Sequence, residues 1–193
     1  MSISTVPEND SCHVSSSGDS LRRVLPPLVI AALALIGSLW LSVGMGLKAC
    51  PLCLYQRTFV MGVVAVLGIG VLTGPGHRCV LNLLALPFAV AGFGVAAFHV
   101  FLELTGKLEC PAGVMAIGTA PQQSLAVLTV LLILVSVGVA RSEDCGIPSS
   151  VGAVLLGLLL SGSSVVSAPP MPPVPTKAYE QSLDMCRPPY HPQ

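Results

Sequence analysis

Residues 24–47 read VLPPLVIAALALIGSLWLSVGMGL, a run of 24 residues that contains no charged side chain. As a helix, such a run is long enough to cross the hydrocarbon core of a membrane, which is about 30 Å thick. It is also longer than the apolar region of a secretory signal peptide, which has about 7–15 residues. We therefore expect this segment to stay in the protein as a transmembrane helix.

Four more apolar runs follow the first. They predict spans at residues 54–73, 79–102, 124–140 and 151–168. Serine and glycine interrupt the last run. The sequence thus predicts an all-α integral membrane protein over residues 22–168, built as a four-helix transmembrane bundle with a fifth transmembrane helix.

The two ends of the chain differ from this apolar body. Residues 1–21 are polar and rich in serine, so we expect a disordered cytoplasmic tail. Residues 169–193 are rich in proline and are expected to form an extended extracytoplasmic tail.

Composition excludes two broad classes of protein. Of the 193 residues 53% are hydrophobic and 9% are charged, whereas a soluble domain carries about 25% charged residues. The 9 basic and 9 acidic side chains cancel, so no net charge attracts nucleic acid. A soluble globular domain and a nucleic-acid-binding protein are both disfavoured.

Five spans divide the 7 cysteines between two faces of the membrane. The face of the N-terminus receives Cys12, Cys79 and Cys145, and the opposite face receives Cys50, Cys53, Cys110 and Cys186. Four cysteines are enough for two disulfides, and disulfides persist on the oxidising side of a membrane. We therefore expect a cytoplasmic N-terminus and a periplasm-like opposite face. Without the fifth crossing, Cys186 would lie inside and Cys110 would lose its partner.

The stretch ACPLCLYQR at residues 49–57 contains the residues that indicate a reaction. A Cys-x-x-Cys at a helix start brings two sulfurs onto one face, and Pro51 suits the first helical position. The exposed N–H groups and positive end of the helix stabilise a thiolate, and we expect Lys48 to act in the same direction. This pattern indicates that Cys50 and Cys53 form a redox-active pair.

Arg57 lies four residues after Cys53, and therefore about 6 Å deeper on the same helix face. An arginine inside a span costs about 2.5–3.5 kcal/mol at the helix centre and usually marks function. It could stabilise a thiolate or hold the carbonyl of a lipid-soluble cofactor. The structural alternative is that Arg57 only reaches for lipid headgroups. The neighbouring Cys-x-x-Cys favours the functional interpretation.

Cys-x-x-Cys-x-Tyr-Gln-Arg at the start of the second span resembles the DsbB family, the quinone-linked thiol oxidases of bacterial inner membranes. The resemblance is strong over residues 24–110. It implies that Cys50 and Cys53 are the quinone-facing pair, with Cys53 and Arg57 next to the quinone. The cofactor would be ubiquinone or menaquinone from the membrane pool, and the partner a periplasmic DsbA-like protein of thioredoxin fold.

The family also has a second cysteine pair, which in most members lies in the loop between spans three and four. In this sequence the loop at residues 103–123 holds only Cys110, and the count of cysteines by face nominates Cys186 as its partner. By analogy, Cys110 would form the mixed disulfide with the soluble protein, and Cys186 would then attack Cys50.

His99 and Glu103 share a helix face near the outer end of the third span. The family often has a histidine in this region, and quinone reduction takes up two protons. His99 is therefore a candidate for quinone contact or proton transfer. A histidine that only bonds a neighbour at the interface is the alternative.

Three other functions compete with this reading. Cys50, Cys53, Cys110 and Cys186 could bind zinc as four thiolates, although the last two are isolated in sequence. An oxidoreductase resembling vitamin K epoxide reductase also pairs a membrane Cys-x-x-Cys with quinone, but its motif falls late in the chain. A non-enzymatic adaptor with stapled loops would need no arginine at position 57. No metal site is expected under the preferred reading.

Overall fold

Helices make up most of the computed structural model, which describes residues 17–72, 78–114, 117–142, 146–170, 175, 178–180 and 183–190. Side chains are described within these ranges from residue 21 onward, except at 78 and 79. Residues 1–16 of the expected N-terminal tail lie outside the described part, as do Cys12, Cys145 and the side chain of Cys79.

Five helices are present among the described residues. In chain order they are α1 (Ser17–Val43), α2 (Pro51–Leu72), α3 (Arg78–Leu104), α4 (Ala120–Ala140) and α5 (Ile147–Val166). By length and composition, all 5 are able to cross a membrane. The all-α membrane fold predicted from the sequence is confirmed, including the fifth helix.

The helix ends differ from the predicted spans. A polar residue marks the end of the segment that can lie in the hydrocarbon core, but the helix itself can continue beyond that segment. Residues 17–21, which were expected to belong to the disordered tail, are the first turns of α1. That helix ends at Val43 rather than at residue 47, and Gly46 beyond it has a φ of +67°, a conformation that favours glycine. Likewise α4 begins at Ala120 instead of 124, with Pro121 in its first turn.

The third helix is the centre of the bundle. It packs against α2, α4 and α5, and it is the most buried of the five spans. The core that it shares with α2 and α4 is aliphatic, with Val63, Leu67 and Leu131 fully buried. Side chains on α3 are therefore enclosed by other helices along most of its length.

The fifth helix packs against α3 through small residues. A Cβ placed on Gly157 would meet Val90 and the carbonyl of Pro87, and one placed on Gly94 would meet Ser161. Small residues allow two membrane helices to approach closely, which increases van der Waals contact between them. The extra helix is thus part of the bundle, and it brings the chain back toward the end where α2 begins.

The C-terminal tail folds back onto the connection between α3 and α4. Glu109 and Arg187 form an antiparallel bridge with two backbone hydrogen bonds, and their side chains form an ion pair at 2.8 Å. Lys48 pairs with Asp184 at 2.9 Å. These contacts fix residues 183–190 above the start of α2.

Candidate active site: two cysteine pairs around a buried histidine

Cys50 caps the first turn of α2. The helix begins at Pro51, and the N–H of Cys53 donates to the Sγ of Cys50 over 3.3 Å. This is the geometry of a side-chain N-cap, in which the capping residue accepts from the third helical residue. The capping contact turns both sulfurs to the same side of the helix start, as the Cys-x-x-Cys spacing predicts.

The sulfurs of Cys50 and Cys53 are 2.7 Å apart, and both residues are thiols in the structure. The hydrogen bond from the Cys53 thiol, together with weaker contributions from His99, lowers the pKa of Cys50 to about 5, against the opposing effect of burial. A thiolate at neutral pH is the nucleophilic form in thiol–disulfide exchange. The inner pair, defined as Cys50 and Cys53, therefore has the electrostatics of a redox-active pair.

A disulfide joins Cys110 to Cys186 across 76 residues of sequence. This is the pairing that the count of cysteines by face nominated, and we call these two residues the outer pair. Cys110 lies in the connection between α3 and α4, and Cys186 lies in the folded-back tail. The bridge between Glu109 and Arg187 sits beside the disulfide and aligns the two segments.

His99 lies between the two pairs. Its Nε2 is 3.8 Å from the Sγ of Cys50 and 3.6 Å from the Sγ of Cys110, and the residue has no exposed surface. Each of the four sulfurs lies within 4.8 Å of a ring nitrogen of His99. One imidazole on α3 thus contacts both the inner and the outer pair.

Gln56 and Ser124 orient this imidazole. The Ser124 hydroxyl donates to Oε1 of Gln56, so the amide nitrogen of Gln56 faces Nδ1 of His99 at 3.4 Å. Because an amide nitrogen only donates, Nδ1 is the acceptor and the proton of the neutral ring lies on Nε2. His99 therefore presents an N–H group to the sulfurs of Cys50 and Cys110.

Arg57 is held by the first helix. Its Nε donates to the hydroxyl of Ser38 at 3.1 Å, and its Nη2 donates to the Ser38 carbonyl at 2.9 Å and to the Ser42 hydroxyl at 2.7 Å. These bonds compensate for the desolvation of a charge inside a span. The guanidinium is directed to α1 and not to lipid headgroups, which disfavours the snorkelling alternative.

A cavity of about 440 Å³ lies between α1, α2 and α4. Its walls are mostly apolar, and Cys53, Arg57 and Cys186 are among the residues that line it. Gln56 also lines the cavity, whereas His99 does not. Of the two residues expected to contact a cofactor, Arg57 therefore faces this space, and His99 lies behind Gln56 against the sulfurs.

Lys48 and Glu103 bond to segments around the site rather than to the cysteines. Lys48, expected to stabilise a thiolate, instead holds the tail through Asp184, and it lowers the pKa of that carboxyl by hydrogen bonding. Glu103 accepts hydrogen bonds from Thr119 and Gln122 at the start of α4. Both charged groups thus stabilise the loops around the site.

Sequence reasoning did not single out four polar residues of the site as contacts. They are Ser38, Ser42, Gln56 and Ser124. A local signal exists for the first two, since they are hydroxyl residues four apart inside an apolar span and therefore share a face. Gln56 stands beside Arg57 in the quoted motif, but its bond to Ser124 joins residues that are 68 positions apart and lie on different helices, so the sequence did not show this contact.

The four-thiolate zinc alternative conflicts with this arrangement. Such a site needs four free thiolates, whereas Cys110 and Cys186 are joined in a disulfide. Fold and site together define a multi-pass helical membrane protein with two adjacent cysteine pairs.

This chain belongs to the DsbB family. The family model for disulfide bond formation protein DsbB matches residues 22–166, which include all five helices almost completely. No solved structure shows a significant match to the chain.

Curated relatives agree with the family assignment. The chain is 37% identical over 92 residues to disulfide bond formation protein B of Burkholderia pseudomallei, a match that covers 46% of this chain and 54% of that protein. It is 40% identical over 81 residues to disulfide bond formation protein B 2 of Pseudomonas putida, covering 41% and 48% respectively. The chain thus spans about half the length of the curated relatives that it matches.

Proposed function

We propose that this protein is a protein-disulfide oxidoreductase that reoxidises a periplasmic DsbA-like thioredoxin-fold protein and passes two electrons to a membrane quinone. The observation that carries the proposal is the position of His99, which contacts a sulfur of each pair beside a cavity lined by Cys53 and Arg57. Two cysteine pairs that contact the same imidazole are close enough to exchange electrons without a large movement of the chain.

Each pair contributes one cysteine to the lining of the cavity, Cys53 and Cys186, but the two pairs differ in their position. The outer pair, Cys110 and Cys186, joins a loop to the tail at the end of the bundle, where a soluble protein has access. The inner pair places Cys53 against the apolar cavity. We assign thiol–disulfide exchange with the soluble partner to the outer pair, and electron transfer to the quinone to the inner pair.

The cavity fits a quinone ring by its chemistry. Its walls are apolar, and the guanidinium of Arg57 supplies a fixed cation that can bind a carbonyl oxygen. When bound, ubiquinone or menaquinone supplies an acceptor for two electrons and two protons. Arg57 would bind and orient the ring beside Cys53, while Ser38 and Ser42 hold the guanidinium in place.

The positions of the site residues support one orientation in the membrane. Five crossings place the α1–α2 connection, the α3–α4 connection and the C-terminal tail on one face, and these three segments carry both cysteine pairs. A disulfide on this face favours the oxidising side. We propose that the protein lies in the bacterial inner membrane, with a cytoplasmic N-terminus and periplasmic redox cysteines.

Quinone reduction by the purified full chain tests this function. In detergent, reduced DsbA and a short-chain ubiquinone should be consumed one for one when catalytic amounts of the chain are present. Cys53→Ser should abolish turnover, since one sulfur of the inner pair is lost, while Cys79→Ser serves as the matched cysteine control. Failure of both ubiquinone and menaquinone analogues to be reduced would contradict the proposal.

A further inference from the structure

Two ion pairs flank Cys186 in the folded-back tail. On one side, Asp184 pairs with Lys48, and the backbone N–H of Lys48 donates to the Asp184 carbonyl at 2.9 Å. On the other side, Arg187 pairs with Glu109, and these two residues also exchange two backbone hydrogen bonds. Each side of Cys186 therefore has a contact between charges and a contact through the main chain.

The partners of these ion pairs lie next to the other cysteines of the site. Lys48 precedes Cys50 by two residues, and Glu109 directly precedes Cys110. The tail thus crosses from the α1–α2 connection to the α3–α4 connection. Along this crossing, Cys186 is bonded to Cys110 and packs against the buried cluster that contains Cys50.

The two contacts differ in exposure. We call the pair of Lys48 and Asp184 the lysine anchor, and the pair of Arg187 and Glu109 the arginine anchor. The exposed fraction of the side chain is 66% for Lys48 and 16% for Arg187, and the guanidinium of Arg187 also lies 3.8 Å from the ring centre of Tyr179. Because solvent and salt weaken exposed ion pairs most, we expect the arginine anchor to hold the tail more strongly.

The tail depends on non-covalent contacts whenever the outer disulfide is open. Exchange with a soluble protein breaks the bond between Cys110 and Cys186, which are 76 residues apart in sequence. The last helix ends at Val166, so the tail reaches Cys186 without further helical structure among the described residues. Ordering such a segment costs conformational entropy. Contacts that persist in the reduced chain offset this cost and raise the effective concentration of one thiol at the other.

Resting on the proposed function, we propose that the residues of the two anchors are positioning residues, which keep Cys186 beside Cys110 and Cys50 while the outer disulfide is open. They act through Cys186, by raising the effective concentration of its thiol at the site. Two cysteines within one short loop need no such support, whereas this outer pair is assembled from two separate segments of the chain.

The reaction that the anchors assist exchanges one sulfur–sulfur bond for another. The thiolate of Cys186 attacks Cys50 of the oxidised inner pair and expels Cys53 as a thiolate. The thiolate of Cys110 then attacks Cys186, restores the outer disulfide and expels Cys50. Two electrons and two protons have moved from the outer pair to the inner pair, and quinone is the oxidant that restores the inner disulfide.

Redox titration of the outer disulfide tests the anchors without a partner or a quinone. The full chain in detergent is equilibrated with dithiothreitol buffers, and alkylation followed by mass spectrometry gives the reduced fraction of each pair. Arg187→Met should lower the effective concentration about tenfold, which raises the reduction potential of the outer pair by about 30 mV. Lys48→Met should lower it about threefold, within the range of an exposed ion pair.

A neutralised lysine in the same region is the matched control. Lys107→Met removes a positive charge from the α3–α4 connection and leaves both anchors intact, so the potential of the outer pair should not change. Exchange of the two charges is the rescue. Lys48→Glu combined with Asp184→Lys re-forms the lysine anchor with reversed polarity, and it should reverse most of the shift that Lys48→Glu causes alone.

Salt gives a readout that needs no substitution. Between about 10 mM and about 1 M sodium chloride, the potential of the outer pair in the wild-type chain should rise, because screening weakens ion pairs. A potential independent of salt would contradict the role of the charges.

The outcomes separate this inference from the proposed function. Unchanged outer potentials in Arg187→Met and Lys48→Met, or a shift in Lys48→Glu that the exchange of charges does not reverse, overturn the role of the anchors and leave quinone-dependent turnover as it is. If the potentials shift as expected but the wild-type chain reduces no quinone, the proposed function is overturned and the anchors are not.

Discussion

The central helix α3 carries two fully buried polar side chains with opposite surroundings. His99, near its outer end, contacts Gln56 through one ring nitrogen and two sulfurs through the other. Asn82 lies about 25 Å away along the same helix. Its Oδ1 is buried without a hydrogen-bond partner among the described residues, and it packs closely against Gly138 of α4.

The contrast separates a buried polar residue that contacts both cysteine pairs from one that packs against a neighbouring helix. A buried polar atom without a partner costs free energy, and no water is available in a lipid core to offset that cost. The surroundings of His99 satisfy the ring and direct its proton to the cysteines. The surroundings of Asn82 only bring two helices together, since a Cβ at position 138 would collide with its amide.

The largest expected effect of the surroundings of His99 is on the titration of Cys50, because His99 contributes to the lowered pKa of this thiol. Its lowered pKa keeps the thiolate populated from neutral pH down to about 5, and acidification below that value protonates it. Ultraviolet thiolate absorbance of the reduced chain should therefore contain a component with a midpoint near pH 5, and Cys50→Ser should remove that component. A single transition near the ordinary thiol value of about 8.5 would contradict the assignment.

Replacement of the histidine should give the next largest effect. His99→Leu removes the N–H that contacts both pairs, so exchange between them should slow by about 100-fold, the lower range for a positioned proton donor. Single-turnover reduction of the inner pair by reduced DsbA measures this rate.

Two observations separate this role of His99 from simple packing. The low-pH midpoint of Cys50 should rise in His99→Leu, because His99 contributes to the lowered pKa. His99→Gln, which keeps an N–H donor, should recover part of the rate. If the leucine variant exchanges within about twofold of the wild-type rate, His99 does not act on the sulfurs.

Replacement of Gln56, whose amide orients the ring of His99, should slow the exchange between the two pairs by a smaller factor. Gln56→Leu leaves Nδ1 of His99 without its donor, which frees the ring to adopt the other tautomer. One hydrogen bond of about 1 kcal/mol corresponds to a loss of less than about tenfold in the exchange rate. Ser124→Ala, one step further from the ring, is the matched comparison, and a greater loss there than in Gln56→Leu would contradict the proposed order of contacts.

Substitution of Asn82 should have the smallest effect on the rate of exchange between the two pairs. Asn82→Leu removes a buried acceptor that has no partner among the described residues and keeps a side chain of similar size. We expect unchanged exchange rates and a thermal unfolding midpoint in detergent that is equal or higher. A marked loss of exchange would show that the two buried polar residues on α3 are functionally coupled.

Most of the fold was predictable because membrane spans follow from local composition. The helix termini were not, since helices continue beyond the hydrocarbon core, as α1 does at Ser17 and α4 at Ala120. The outer pair was predicted by counting cysteines on each face. The count gave no geometry, and it could not show that Cys110 is the more buried of the two.

The sequence by itself determined the membrane class, the Cys-x-x-Cys pair at the start of a helix and the placement of Arg57 on the same helix face as Cys53, because spacing along one helix fixes which side chains share a face. Only the tertiary structure decided that His99 contacts both cysteine pairs, that Gln56 and Ser124 orient it, and that Ser38 and Ser42 hold Arg57. These contacts join different helices. They depend on the rotation and depth of each helix in the bundle, which packing over the whole molecule sets.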